Sequence, residues 1–235
     1  MTIPASGGRG VDPEILLEDN HCLAVNKPAG LLSQGDATGE PSLVDWAEAD
    51  LKARYDKPGN VYVGLVHRLD RPVSGVVLLA KTSKAAARLS AQFREGTVAK
   101  VYRAIVEGIV REEEGEWSDA LRKDRGRNVV EVVAEGGLAA SLAYRVVGRG
   151  SKRTLLELRP TTGRGHQLRV QLASRGFPIL GDTKYGAKSI VEAADGGHRI
   201  ALHARSLSFT HPTKAGALSV EAPDPADWPG GSIGS

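Results

Sequence analysis

The sequence is sparing in the residues that announce several common chemistries. It has one cysteine in 235 residues, Cys22, so no internal disulfide can form and a thiolate metal site lacks ligands. That spare use of cysteine fits a reducing compartment, and a cytoplasmic location is expected. No long apolar run exists. The longest, residues 76–80, is far short of the ~20 residues that cross a bilayer, and residues 1–10 have no apolar centre that would make a secretory signal. Neither sign of charge dominates, with 31 Lys and Arg against 28 Asp and Glu and a net charge of +3. His67, His166, His203 and His211 show no H-x-x-x-H or H-E-x-x-H spacing, so no metal is expected. No phosphate-cradling G-x-x-x-x-G-K-[ST] loop, G-x-G-x-x-G fingerprint or G-x-S-x-G elbow is present, which removes support for a nucleotide cofactor or a serine hydrolase. Glycosidase chemistry needs paired carboxylates, and the loop around Asp70 supplies one.

What is present is an ordinary globular composition, 41% hydrophobic and 25% charged, in a chain long enough for one large domain or two small ones. The expected layout is a loose segment 1–12, a single domain over 13–222 and an unpacked tail over 223–235, where Pro and Gly crowd the sequence. The charge is unevenly spread. Residues 119–175 hold twelve Lys and Arg against five Asp and Glu, a balance of +7, while the remainder holds nineteen against twenty-three. A basic stretch in an otherwise acidic chain points to a polyanion. Its densest part is Arg122, Lys123, Arg125 and Arg127, which can equally be a solvated loop.

Three helices are predicted. One follows Ser42, with Leu43, Ala47 and Leu51 on one face and Asp45 in the capping-box position. Another spans about 83–95, with Leu89 and Phe93 together and Gly96 as its stop. The third begins near His166 and ends at Gly176. Strands are predicted over about 23–27, 61–66, 76–80, 100–107, 129–134, 140–147, 153–159, 202–209 and 217–222. Residues 187–199 read as a surface excursion. So many neighbouring strands with few helices between them predict an α+β fold, a mixed and largely antiparallel sheet with flanking helices.

Three stretches can carry chemistry. His67-Arg68-Leu69-Asp70-Arg71-Pro72-Val73-Ser74-Gly75 puts a carboxylate in a stiff turn between apolar strands, flanked by Arg68 and Arg71, which would keep it ionised and available as nucleophile or base. A structural Asp capping its own turn is the alternative. Gly163-Arg164-Gly165-His166-Gln167-Leu168-Arg169 opens the third helix with basic residues suited to an anion, or is simply an amphipathic helix with a basic outer face. Tyr102, alternating with Val101, either stacks on a base or fills the core.

Taken in order, these stretches resemble the RluA family of RNA pseudouridine synthases over about residues 15–213. The resemblance rests on Asn26-Lys27-Pro28-Ala29-Gly30, His67-Arg68-Leu69-Asp70, Lys100-x-Tyr102, Gly163-Arg164-x-His166-Gln167-x-Arg169, Gly181-Asp182-x-x-Tyr185-Gly186 and Leu202-His203-Ala204 with His211-Pro212. Val73, Gly165 and Gln171 depart from the residues common in that family. Many members also carry a small N-terminal RNA-binding module, and with the resemblance beginning near Ile15 none is expected here.

The resemblance implies isomerisation of uridine to pseudouridine in ribosomal or transfer RNA, without cofactor or metal, by a chain that needs no partner protein and works as a monomer. It assigns catalysis to Asp70, Tyr102 and Arg169, with Arg169 pairing with Asp70, Tyr102 stacking on the base and Arg68 filling the gap left by an extruded nucleotide. Asp70 would attack the ribose C1′ or the uracil ring, or act as a base at C2′. RNA contacts are expected from Arg68, Arg71, Arg164, His166 and Gln167, and from Arg122, Lys123, Arg125 and Arg127. A catalytically silent RNA-binding protein and an Asp-nucleophile hydrolase are the rival readings.

Overall fold

The computed structural model describes residues 12–124, 126–192, 198–226 and 228. They form two compact units: residues 12–98 with 206–223, and residues 99–192 with 198–205 and the described part of the C-terminal stretch. Among the described residues no helix is long and apolar enough to cross a membrane.

The first unit is built on β1 (Glu14–Glu18), β2 (Cys22–Lys27) and β4 (Ser74–Ala80), antiparallel and in that order, with the short β3 (Gly64–Leu65) also on β4. Every residue of β4 is buried, because its Val-Val-Leu-Leu centre has apolar neighbours on both faces, and each such side chain stabilises by roughly 1.5–3 kcal/mol. Helix α1 (Leu43–Arg54) starts as predicted: Ser42 N–H donates to Asp45 Oδ2 at 2.8 Å while Asp45 N–H donates back to Ser42 Oγ. Helix α2 (Ser83–Glu95) is capped by Thr82, and Gly96 ends it in the left-handed region at φ 74°. Leu89 and Ala85 pack beneath α2 on Cys22, Ala24, Val76 and Leu78, joined by Leu207, Phe209 and Val220. Those last residues come from the end of β12 (Leu202–Thr210) and its partner β13 (Ala217–Glu221).

The second unit is an antiparallel sheet in the order β5 (Ala99–Glu107), β9 (Arg153–Pro160), β8 (Leu138–Arg149), β6 (Glu114–Asp124), β7 (Val129–Val133). Helix α3 (Gln167–Ala173) lies against β6 and β7 through Val170, Leu121, Val130 and Ala140. The strand pairings given above are antiparallel, and an isolated parallel bridge links Leu32 and Ser42. The expected α+β fold is therefore present.

Four features differ from the sequence reading. β1 and the eleven-residue β6 are strands where none was predicted. β6 reads Glu-Gly-Glu-Trp-Ser-Asp-Ala-Leu-Arg-Lys-Asp, poor in β-branched residues, and becomes a strand because β7 and β8 hydrogen-bond it on both sides. The stretch 61–66 keeps only Gly64–Leu65 as strand. Residues 187–199 are tied down at both ends: Ala187 and Arg199 are buried, β10 (Val191–Glu192) pairs with β11 (His198–Arg199), and the Lys188 and Ser189 amides donate to Glu107. In the C-terminal stretch, Trp228 sets its ring edge-on to buried His203, so this part is packed.

Candidate active site

Asp70 belongs to the first unit, and its position is fixed chiefly by its neighbours. Ser33 Oγ donates to the Leu69 carbonyl at 2.7 Å and accepts from the Leu69 amide at 3.1 Å. On the other side, the Gly30 amide donates to the Arg71 carbonyl at 2.8 Å, and Arg71 Nε returns a bond to the Gly30 carbonyl at 2.9 Å. The Arg71 guanidinium then forks onto both oxygens of Glu40. The Asp70 carbonyl closes the turn by accepting from the Val73 amide at 3.0 Å. A loop whose backbone groups are satisfied on both flanks holds its central side chain in one place. Asp70 is half-buried and Arg68 is exposed.

Behind this loop sits Lys27, fully buried. Its ammonium donates to the carbonyls of Pro28 at 2.9 Å, Leu31 at 2.8 Å and Arg71 at 3.4 Å, so it ties the Lys27-Pro28-Ala29-Gly30-Leu31 turn to the Asp70 loop. Burial pulls the ammonium down to about 7, although the Asp70 carboxylate acts in the opposite direction. Sequence reasoning quoted this lysine within a motif without assigning it a task. The carbonyls it serves come from loops, which composition cannot reveal. His67 is structural: its Nε2 accepts from the Leu78 amide at 2.9 Å and its ring stacks on Phe93 at 4.4 Å.

Tyr102 and Arg169 belong to the second unit. Helix α3 is not an amphipathic helix with a basic outer face, because Gln167, Leu168, Arg169, Val170, Gln171 and Leu172 are all buried. Arg169 forks onto Asp182, Nε to Oδ2 at 2.7 Å and Nη2 to Oδ1 at 2.8 Å, and its guanidinium lies 5.0 Å from the Tyr185 ring centre. The Tyr185 hydroxyl bonds His166 Nδ1 at 2.7 Å and accepts from the Val130 amide at 2.9 Å. Asp182 and Tyr185 are therefore the residues that orient Arg169. They stood in a quoted motif, but their task depends on a fold-back of thirteen residues that spacing does not disclose. Gly181 ahead of them has φ 87°, and a Cβ there would meet the Arg199 carbonyl at 2.7 Å, so only glycine fits.

The segment leading into α3 is wired internally. Gln167 is buried and fully engaged: Oε1 accepts from Thr162 Oγ1 at 2.8 Å and the Arg164 amide at 3.1 Å, and Nε2 donates to the Ser141 carbonyl at 3.1 Å. Its amide fixes the segment instead of facing solvent. His166 takes φ 53° at the helix start, and exposed Arg164 donates Nε to the Ala139 carbonyl at 3.0 Å. Gln171 Nε2 donates to Asp119 at 2.6 Å and to the Ala140 carbonyl, while its buried Oε1 has no partner among the described residues; the position asks for a donor, which a histidine also supplies.

The basic run 122–127 is not one surface. Arg125 lies outside the described residues. Paired residues of neighbouring strands share a face. Lys123 opposes Val130, which packs on Val170 of α3, whereas Arg122 opposes Glu131 on the other face. Glu131 also takes Arg127 at 3.0 Å. Tyr102 shares the face of α3: it opposes Leu158, Leu158 opposes Tyr144, and two alternations along β8 reach Ala140 beneath Val170.

One trio of described residues approaches metal-ligating proximity, Asp19, Cys22 and His211. His211 Nδ1 accepts from the amides of Thr213 at 3.2 Å and Lys214 at 2.9 Å, so Nε2 carries the proton and donates to Asp19 at 2.7 Å. A protonated nitrogen offers no lone pair to a metal. Burial raises the Cys22 thiol to about 11, which makes it a poor ligand and nucleophile.

Residues 21–174 match the family described as RNA pseudouridylate synthase. The chain is 37% identical over 218 residues to the uncharacterized RNA pseudouridine synthase YhcT of Bacillus subtilis, covering 91% of this chain and 69% of that one. It is 38% identical over 216 residues to the dual-specificity RNA pseudouridine synthase RluA of Vibrio parahaemolyticus, covering 89% and 82%. A solved structure, human RNA pseudouridylate synthase domain containing 4, superposes with a TM-score of 0.74 at 26% identity, covering 91% and 89%.

Proposed function

Because this chain belongs to the RNA pseudouridine synthase family, of the RluA type, we propose that it isomerises specific uridines of ribosomal or transfer RNA with Asp70 as its nucleophile. The reaction breaks the bond between ribose C1′ and uracil N1, turns the ring and joins C5 to the same C1′. C5 gives up its proton as the rearranged base regains its aromatic character, N1 takes one up where its bond to the ribose was broken, and no electrons are gained or lost overall. Asp70 acts at C1′, at the uracil ring or as a base at C2′.

The observation that carries this reading is the mount of Asp70, a carboxylate whose two neighbours are each bonded into other loops. Reacting groups held this way lose little entropy at the moment of reaction. Arg169, already oriented by Asp182 and Tyr185, supplies the guanidinium of the reaction. Tyr102 takes the uracil ring by stacking, an interaction worth ~1–3 kcal/mol. The target uridine leaves its helix to reach these groups, at a few kcal/mol, less in a loop or bulge, and Arg68 fills the gap. Arg164, Lys123 and their neighbours hold phosphates. The enzyme works in the cytoplasm as a monomer and needs no cofactor.

The test is tritium release from 5-³H-uridine transcripts of large-subunit ribosomal RNA and of tRNA. Wild type releases tritium and Asp70→Asn does not. Release by both would remove Asp70 from the chemistry, and release by neither would remove the activity.

A further inference from the structure

A cation without a carboxylate stands two residues from Tyr102. Strand alternation puts Lys100 and Tyr102 on the same face of β5, the face shared with α3. Lys100 is half-buried, and its Nζ donates to the Thr162 carbonyl at 3.2 Å, at the start of the segment that carries Arg164 and His166. No carboxylate among the described residues pairs with it. Burial lowers its affinity for the proton. Of the three donors on an ammonium, one is used within the protein. The adjoining residue is Gly163, where an added Cβ would come 3.6 Å from Nζ, so the glycine leaves that side of the ammonium uncovered.

Most lysines escape this situation by reaching into water, and a partly buried charge without a counter-charge is destabilising. One exposed cation follows in the same loop, Arg164 beyond Gly163. The arrangement is completed by an anion arriving from outside. Resting on the RNA substrate proposed above, we propose that Lys100 binds a backbone phosphate of the RNA beside the uridine that Tyr102 receives. The mononucleotide lodged on Tyr102 would then be gripped at both ends, base on the ring and phosphate on the ammonium. The plain alternative is that Lys100 only pins the Thr162 carbonyl.

The two roles separate by substitution. Lys100→Gln keeps a donor for Thr162 and drops the charge, whereas Lys100→Arg keeps the charge. Binding of the same ribosomal and transfer RNA transcripts is measured across salt concentrations in an Asp70→Asn background that blocks turnover. Lys100→Gln is expected to weaken binding about tenfold, the worth of one charge-assisted contact, and to flatten the dependence of log K on log salt by about 0.7. Lys100→Arg retains the parent slope. In the Asp70 enzyme, Lys100→Gln raises KM far more than it lowers kcat. Because Lys100→Gln can also lower stability, protection of wild-type Lys100 from acetylation by bound RNA, read by mass spectrometry, provides a measurement without a variant. An unchanged slope in Lys100→Gln, or equal acetylation with and without RNA, overturns the proposal. Tritium release by the wild type is scored separately, so failure of the Lys100 assignment is distinct from failure of the enzyme reading.

Discussion

Arg169 and Asp182 form a two-bonded ion pair that is almost wholly shut away from water, with Asp182 completely buried. The guanidinium is thus oriented before any substrate arrives. Asp182→Asn removes the carboxylate that takes both of these guanidinium bonds, and a loss of stability is expected, read as a lower denaturation midpoint in urea. Arg169→Lys should not restore the pair, because a point-like ammonium cannot reproduce the fork.

Tyr185→Phe removes one hydroxyl that serves both His166 and the Val130 amide. Its expected effect is smaller, ~1–3 kcal/mol for the amide left unsatisfied. A drop in kcat with RNA affinity retained is expected to accompany it, since the Tyr185 ring lies against the Arg169 guanidinium.

Ser33→Ala tests the mount of Asp70. It strips both the amide and the carbonyl of buried Leu69 of their side-chain partner, and ~1–3 kcal/mol of stability should go with it. Glu40→Gln, on the exposed Arg71 fork, should change stability by less than ~1 kcal/mol. Chemical denaturation of both variants checks the ranking.

Lys27 makes stability depend on pH. Its folded value of about 7 lies below its ordinary 10.5, so the unfolded chain binds more protons between these values and stability rises with pH across that window. The contribution is fully present above about 10.5 and is lost as pH falls through about 7. Lys27→Met should be less stable at every pH, because three carbonyls lose their donor, and should show a flatter rise from pH 7 to 10. Urea denaturation across that range measures the difference in slope.

Lys123 and Arg122 should differ in their contribution to RNA binding although they are adjacent. With RNA on the face of α3, Lys123→Gln lowers the salt dependence by about 0.7, and Arg122→Gln leaves it unchanged. Equal effects would place the RNA across both faces.

The legible parts of this fold were those decided locally. Ser42 with Asp45, and Gly96, carry helix boundaries in their own chemistry: α1 starts where Ser42 says and α2 ends where Gly96 says. The eleven residues of β6 have no such local signature; only bonding to β7 and β8 makes them a strand. That failure carried over to the site, since a presumed loop from Arg122 to Arg127 hid an alternation that sends neighbouring charges apart. Likewise, Asp70 was legible from its Pro- and Gly-bounded turn, but Ser33, Glu40 and Lys27, which steady it, lie thirty or more residues earlier. Charge balance counted over a stretch gave the sign of the partner and could not say which side of the sheet meets it.

The fixing of the Asp70 loop through its neighbours has a practical corollary. Because the anchors run through Leu69, Arg71 and the backbone turn, those ties remain when the carboxylate is exchanged for an amide. Asp70→Asn is therefore suited to capturing the protein on its natural transcript, so that crosslinking in living cells would reveal which nucleotide it seeks.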